Sequence, residues 1–163
     1  MNRIEKGIYL IECKPDEALV RSLTSISRKR VRHAGGKAEL LKMLVTHYSN
    51  SKGMIDYDPS SVQPPQLRDF QTEKDSPSCG LKILRQATRD NLVAVLCPRL
   101  EEWIIEATRE AGIDPQNHGL PNDPMVLHRQ INVRLRGFED LVKELCDESV
   151  RIQELRSFLI EDG

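Results

Sequence analysis

Four carboxylate side chains follow the apolar runs of this sequence at positions from which they could bind a divalent metal ion. Glu12 ends the first run, Asp56 and Asp58 follow a later one, and Glu101 stands a few residues beyond the longest. In a parallel α/β sheet, ligands gather beyond the carboxyl ends of the strands, so these four carboxylates are expected along one edge. Mg²⁺ and Mn²⁺ prefer oxygen ligands, and such ions activate water and neutralise phosphate charge.

Strand and helix patterns alternate over the first 58 residues. Short apolar runs predict strands at 8–11, 29–33 and 53–55, and apolar residues at helical spacing predict helices at 15–23 and 37–48. The connections between these segments are short. The pattern therefore predicts a parallel α/β sheet flanked by helices.

The chain changes character at residue 59. Residues 59–80 contain four prolines, many serines and glutamines and little apolar periodicity, which predicts a long mobile loop that borders the site. Runs at 81–84 and 92–97 then predict two strands that pair with each other. The remaining predicted elements are helices at 99–111, 123–132, 138–146 and 150–160.

These patterns predict an α/β unit over residues 1–113 and a helical extension, packed on it, over residues 114–163. The longest apolar run has only six residues, whereas a membrane-spanning helix needs about twenty. Residues 1–15 show no secretory signal, and the four cysteines form no Cys-x-x-Cys pair. We therefore expect a cytoplasmic protein with no membrane association, no disulfide framework and no structural zinc site.

The net charge of −1 hides an uneven distribution along the chain. Residues 1–55 contain 11 basic and 5 acidic side chains, whereas residues 137–163 contain 3 basic and 8 acidic ones. This split predicts a basic surface on the first half and an acidic, solvated C-terminal helix. It is far weaker than the basic excess typical of a constitutive nucleic-acid coat protein.

Three segments resemble the core of Toprim domains. The stretch YLIECKPDE at 9–17 resembles the opening strand, glutamate and helix start of these domains, and MIDYD at 54–58 resembles their Asp-x-Asp strand. Between them, HAGGK at 33–37 is similar to the Gly-rich turn and lysine of several Toprim branches. The resemblance implies a Toprim-like, Rossmann-like parallel sheet, as in bacterial primases, topoisomerases and nucleases of the overcoming-lysogenization-defect type.

A fourth segment, RLEEWII at 99–105, is similar to a stretch in stand-alone Toprim-like proteins of bacteria and archaea that also carry a Gly-Gly-Lys turn. Read in this way, Glu101 is the matching acid. Two positions depart from the family pattern: Cys13 stands where many Toprim proteins have glycine, and Ser60 stands where topoisomerases often carry a third aspartate. No domain with a nucleophilic tyrosine accompanies the segments, so a topoisomerase is not expected.

The resemblance implies metal-dependent phosphodiester chemistry on nucleic acid. Asp56 and Asp58 would bind Mg²⁺ or Mn²⁺, with Glu101 as a further ligand, and Glu12 would act as general acid/base or as a bridging ligand. Lys37 would meet the phosphate charge. Lys14 and Arg99 are weaker candidates for the same role.

Two other interpretations remain open at this point. The same fold could serve as a catalytically silent module that binds nucleic acid or a partner ATPase, which the cysteine at position 13 and the modest basic charge favour. Alternatively, the chain could be an ordinary doubly wound α/β domain whose strand-end acids are coincidental. The four carboxylates favour the nuclease or phosphoryl-transfer interpretation.

Overall fold

A computed structural model of the chain describes residues 4–161 and arranges them as a mixed β-sheet with helices against both faces. The strands are β1 (Glu5–Lys6), β2 (Tyr9–Ile11), β3 (Val31–His33), β4 (Tyr48–Ser49), β5 (Lys52–Asp56), β6 (Gln71–Ser76), β7 (Leu81–Gln86) and β8 (Asn91–Leu96). The α-helices are α1 (Lys14–Leu23), α2 (Lys37–His47), α3 (Leu100–Ala111), α4 (Pro124–Gln130), α5 (Leu135–Glu148) and α6 (Val150–Ile160). Among these helices, none combines the length and the apolar character needed to cross a bilayer.

Six strands form the main sheet in the order β3, β2, β5, β8, β7, β6, while β1 and β4 form a separate parallel pair. The first four strands of the main sheet run parallel to one another. β7 is antiparallel to β8, and β6 is antiparallel to β7. The predicted α/β class, with a largely parallel sheet flanked by helices, is confirmed, and so is the predicted pairing of β7 with β8.

The two central strands, β5 and β8, carry apolar side chains on both sides because helices cover both faces of the sheet. Met54 and Ile55 are successive residues of β5, and they enter opposite apolar clusters, as the alternation of side chains along a strand requires. Gly53, beside them, lies against α2, where an added Cβ atom would come within 2.9 Å of Leu40. The missing side chain therefore allows α2 to rest directly on β5.

The two faces of the sheet carry different numbers of helices. One face packs against α1, α3, α4, α5 and α6 in a single apolar cluster that includes Leu19, Trp103 and Leu141. The other face packs against α2, with a 3-10 helix at Pro65–Asp69 contributing Leu67 at its margin. The helices of the predicted C-terminal extension thus share one core with the strands.

The prediction of an irregular loop over residues 59–80 is wrong for its second half. That part contains the 3-10 helix at Pro65–Asp69, the strand β6 and a further 3-10 turn at Pro77–Cys79. The prolines flank β6 and do not interrupt it, and its polar side chains are exposed because it is the edge strand of the sheet. Residues 57–64 have no regular element, and the mobility predicted for the segment stays a prediction.

Candidate functional site

Two of the predicted site residues leave the sheet at the same edge. β2 pairs in parallel with β5 through Tyr9 opposite Lys52 and Leu10 opposite Gly53. Glu12 comes directly after β2, and Asp56 is the last residue of β5. Because neighbouring parallel strands end at one edge of a sheet, the two carboxylates lie side by side at that edge.

A third acid, Asp16, joins them from the first turn of α1. Its side chain is only 3% exposed, and its Oδ2 atom accepts a hydrogen bond of 3.3 Å from the backbone N–H of Glu12. Burial raises the pKa of Asp16 well above its usual range, and the negative charges of Asp56 and Glu12 raise it further. Three carboxyl groups therefore repel one another in a site shielded from water.

The pKa of Asp56 is raised as well. Its pKa is raised to about 7, chiefly by burial. A hydrogen bond from the backbone N–H of Leu100 and the charge of Lys37 lower the pKa, whereas repulsion from Glu12 and Glu101 raises it. At neutral pH Asp56 is thus protonated far more often than an exposed aspartate.

Glu12 and Lys37 face this site with polar atoms that lack hydrogen-bond partners. Burial raises the pKa of Glu12, and the charge of Lys37 opposes that rise. Within the described part of the chain, the Oε1 atom of Glu12 and the Nζ atom of Lys37 are inaccessible to solvent and accept or donate no hydrogen bond. Such atoms are costly to bury, so they mark a place where a ligand would lower the free energy.

The glycine turn before α2 positions Lys37. Gly36 precedes the helix with φ 149°, a value that favours glycine, and Lys37 is the first helical residue. The lysine charge acts on Glu12, Asp56 and Asp58, whose pKa values it lowers. Its side chain therefore belongs to the same electrostatic site as the carboxylates.

Glu101 lies at the margin of the site. It is in the first turn of α3, is 8% exposed, and accepts a hydrogen bond of 2.9 Å from Nδ1 of His128 in α4 when that nitrogen carries the proton. Its charge contributes to the raised pKa of Asp56. The helical part of the chain thus supplies, through His128, the partner of one predicted ligand.

Asp58 stands apart from the buried carboxylates. Its Oδ1 atom accepts hydrogen bonds from the backbone N–H of Ser60 at 2.9 Å and from the Ser60 hydroxyl at 2.6 Å. These bonds lower the pKa of Asp58. The structure therefore places the second acid of the Asp-x-Asp segment in a surface turn, where Lys37 and Arg99 are the cations that act on it.

The weaker candidate residues lie at the surface. Lys14 is exposed in the first turn of α1. Arg99 is exposed and donates from Nε to both carboxylate oxygens of Glu102 at 3.1 Å. Cys13 has φ −149° and ψ 173°, an extended conformation open to any residue, so the backbone here does not require glycine.

Sequence reasoning missed Asp16 and His128 as members of this site. Asp16 follows Pro15 in a predicted first helical turn, where an acidic residue is ordinary because it offsets the helix dipole. The signal that could have found Asp16 was its position four residues after Glu12. One helical turn places it beside the end of the strand. His128 gave no sequence signal, since its partner Glu101 is 27 residues away.

The donor chemistry of the site fits a hard divalent cation, because carboxylate oxygens and an unpartnered, buried Oε1 atom of Glu12 face it. Over residues 4–161, however, no three His, Cys, Asp or Glu side chains stand in an arrangement that would already enclose a metal ion. Binding would require the carboxylates to turn toward a common point.

No protein-family model, no curated protein and no solved structure matches this chain. Any functional conclusion must therefore be drawn from the residues of the site.

Proposed function

We propose that this protein is a Toprim-like, divalent-metal-dependent nuclease or phosphoryl-transfer protein that acts on nucleic acid. The observation that carries the proposal is the grouping of Glu12, Asp16 and Asp56 at the ends of two neighbouring parallel strands and the helix that follows the first. All three pKa values are raised. The segments that resemble Toprim motifs supply these same strands and this turn.

A purely structural role explains this grouping poorly. Burying a carboxylate costs free energy unless a cation or hydrogen-bond donors compensate for the lost water. Lys37 supplies one positive charge for three acids, and Glu12 keeps a buried oxygen atom without a donor. A divalent ion would offset the remaining negative charge, which supports a metal site over a packing accident.

The residues divide into three roles in this proposal. Asp16 and Asp56 would hold Mg²⁺ or Mn²⁺, which would supply charge stabilisation for a phosphodiester. Glu12 would either join them as a ligand or hold and release a proton as general acid/base, a role that its raised pKa favours. Lys37 attracts the phosphate oxygens from the N-terminus of α2, a place that itself favours anions.

Asp58 and Glu101 have narrower roles. Ser60 holds the Oδ1 atom of Asp58 in the surface turn, so Asp58 becomes a ligand only if this turn moves toward the buried carboxylates or its Oδ2 atom reaches them. Glu101, held by His128, adds negative charge beside Asp56.

The second candidate is a catalytically silent Toprim-like module that binds nucleic acid or a partner ATPase. The engagement of Asp58 by Ser60 favours this alternative, because the Asp-x-Asp segment then offers one acid to the site and not two. The first candidate predicts binding to nucleic acid, and the second predicts it where nucleic acid and not an ATPase is the partner. Only the first predicts cleavage that depends on a metal and on Glu12.

A cleavage assay separates the two candidates. Labelled single- and double-stranded DNA and RNA are incubated with the protein and Mg²⁺ or Mn²⁺, in parallel with Glu12→Gln and with Glu148→Gln, an exposed acid at the end of α5 that serves as a matched control. We expect weak metal-dependent cleavage by the unaltered protein and by Glu148→Gln, and none by Glu12→Gln. Equal cleavage by all three would identify a contaminating nuclease, and binding without cleavage would establish the silent module.

A further inference from the structure

A groove runs between α1 and α5, on the face of the sheet that packs against five helices. It encloses about 600 Å³ and is lined on the α1 side by a stripe that begins at Lys14 and continues through Arg21. Lys143 lines it from α5, and Arg28 closes it from the connection to β3. The stripe from Lys14 to Ser22 contains nine residues, and the eight steps between them span about 12 Å of helix at 1.5 Å per step.

The charge of the groove is predominantly positive. Lys14, Arg21, Arg28 and Lys143 line it together with two acids, Glu17 and Glu139. Glu17 is already engaged, since its Oε2 atom lies 3.0 Å from Nε2 of His33. The groove therefore presents four cations against two carboxylates, and Glu139 has no basic partner within residues 4–161.

The four cations of the groove are held without acidic partners. Over the part of the chain that the structure describes, no ion pair joins any of them to a carboxylate. Unpaired cations within one concave surface raise the local concentration of anions.

The groove and the acidic site share the first turn of α1. Lys14 stands two residues after Glu12, and Glu17 stands one residue after Asp16, so both surfaces are built on the start of α1. The hydroxyls of Ser22 and Ser25 line the groove farther from the site. Lysine, arginine and serine side chains are the groups that most often contact the phosphate and sugar backbone of nucleic acids.

We propose that this groove binds the phosphodiester backbone of one nucleic-acid strand and leads it to the carboxylate site. The inference rests on the proposed function, and it names the surface on which the substrate lies. A length of about 12 Å is enough to contact a few nucleotides of one strand. A lipid surface could not enter a concave groove between two helices, which favours a single strand as the occupant.

Two double variants of matched composition test this assignment. Arg21→Gln/Lys143→Gln removes one arginine and one lysine from facing helices of the groove. Lys42→Gln/Arg68→Gln removes the same two residue types from exposed positions on the opposite face of the sheet. Glutamine is a good helix former, so neither change should disturb the helices, and melting curves verify folding.

The readout is binding of a labelled single-stranded oligonucleotide, without metal, over a range of salt concentrations. We expect the groove variant to bind at least several-fold more weakly at low salt, and its slope of log affinity against log salt to fall by about 1.4, or about 0.7 for each phosphate that the variant no longer neutralises. The control variant should retain the affinity and slope of the unaltered protein. Equal weakening in both variants, or no binding by the unaltered protein, would overturn the groove assignment.

Two further measurements keep this proposal distinct from the proposed function. Polyglutamate of equal charge should compete poorly, and equal competition would show a generic polyanion surface and overturn the assignment to nucleic acid. Mn²⁺ binding should be the same in the groove variant and the unaltered protein. If the groove variant loses nucleic-acid binding while the unaltered protein cleaves nothing, the groove is upheld and the nuclease proposal fails.

Discussion

At the scale of single residues, the carboxyl group of Asp56 shows how the site is balanced. Its pKa of about 7 lies far above the value of 3.8 expected in an unfolded chain. The folded protein therefore binds a proton at Asp56 more tightly than the unfolded chain does between these two values. Stability without metal consequently falls as the pH rises through this interval, and the full cost is present above pH 7.

Substitution of Asp56 by asparagine should stabilise the metal-free protein above pH 7, because the amide has no charge to bury beside Glu12 and Asp16. We expect the melting temperature at pH 8.5 in EDTA to rise by about 2–8 °C, at 2–4 °C for each kcal/mol regained. At pH 5 the variant and the unaltered protein should melt together, since Asp56 is then protonated. Melting curves at both pH values measure the difference.

The control for this substitution is Asp58→Asn, at an exposed acid whose pKa is lowered by Ser60. It should not stabilise the protein at either pH. An Asp56→Asn protein that melts earlier in EDTA at pH 8.5 would show that Asp56 is a structural residue paired with a cation, and the site would lose its main ligand.

Metal affinity should depend on pH for the same reason. Protons compete with Mn²⁺ for Asp56 below its pKa of about 7, so we expect affinity to rise roughly tenfold from pH 5.5 to pH 6.5 and to level off above pH 8. Calorimetric titration with MnCl₂ at each pH measures this affinity, with Glu148→Gln as control. An affinity that does not change over this range would argue that the ion binds elsewhere.

At the scale of the elements, sequence periodicity was sufficient to predict a helix or strand that packs on one side or is buried on both sides. The predicted helix at 150–160 has the same bounds as α6, and the predicted strand at 53–55 lies within β5. β6 was missed because an edge strand exposes its side chains and so shows no apolar alternation. Its position depends on pairing with β7, which local sequence does not encode.

Contact between α2 and β5 at Gly53 should be sensitive to a single methyl group. In Gly53→Ala, the new Cβ atom would lie 2.9 Å from Leu40 Cδ2 and 3.0 Å from Leu44 Cδ1. Overpacking of this kind costs about 1–3 kcal/mol, and it would shift the helix that carries Lys37. We expect the melting temperature to fall by about 2–12 °C at 2–4 °C per kcal/mol.

Gly35→Ala provides the matched control for this change, because an added Cβ atom at Gly35 meets nothing within 4 Å. It lies in the turn before the same helix and should melt close to the unaltered protein. Equal melting of the Gly53→Ala protein would mean that α2 is not seated on β5 as the structure shows.

At the scale of the whole molecule, the C-terminal helices complete the core that the strands begin. Leu141, Leu145 and Leu155 are fully buried in the cluster that contains Leu19 of α1 and Trp103 of α3. The side chain of Arg156 also donates to the Leu23 carbonyl at 3.2 Å. The chain should therefore unfold in one transition.

Removal of the helical part should consequently abolish folding of the remainder. We expect a fragment of residues 1–113 to show no cooperative melting by circular dichroism, because its helices α1 and α3 would expose their apolar faces. In the complete chain, Leu141→Ala should lower the free energy of unfolding by about 2–5 kcal/mol, because it leaves a cavity in the core. A cooperative transition in the fragment would show that the α/β unit folds independently.

The sequence could predict the strand ends that carry Glu12 and Asp56, but not which side chains turn inward there. Asp58 follows the same strand as Asp56, yet a turn with Ser60 holds it at the surface. Asp16 enters the site through the helix, and Glu101 is held by a histidine from α4. Such outcomes are decided by tertiary packing and by local side-chain hydrogen bonds, which periodicity does not contain.

The most direct test of the metal site is anomalous diffraction from crystals of the protein soaked in Mn²⁺ at pH 8. We expect an anomalous peak bounded by the carboxylates of Glu12, Asp16 and Asp56 at the carboxyl edge of β2 and β5, and no such peak in crystals of Asp56→Asn. Anomalous density absent from this edge, or unchanged in the variant, would contradict a divalent-metal site there.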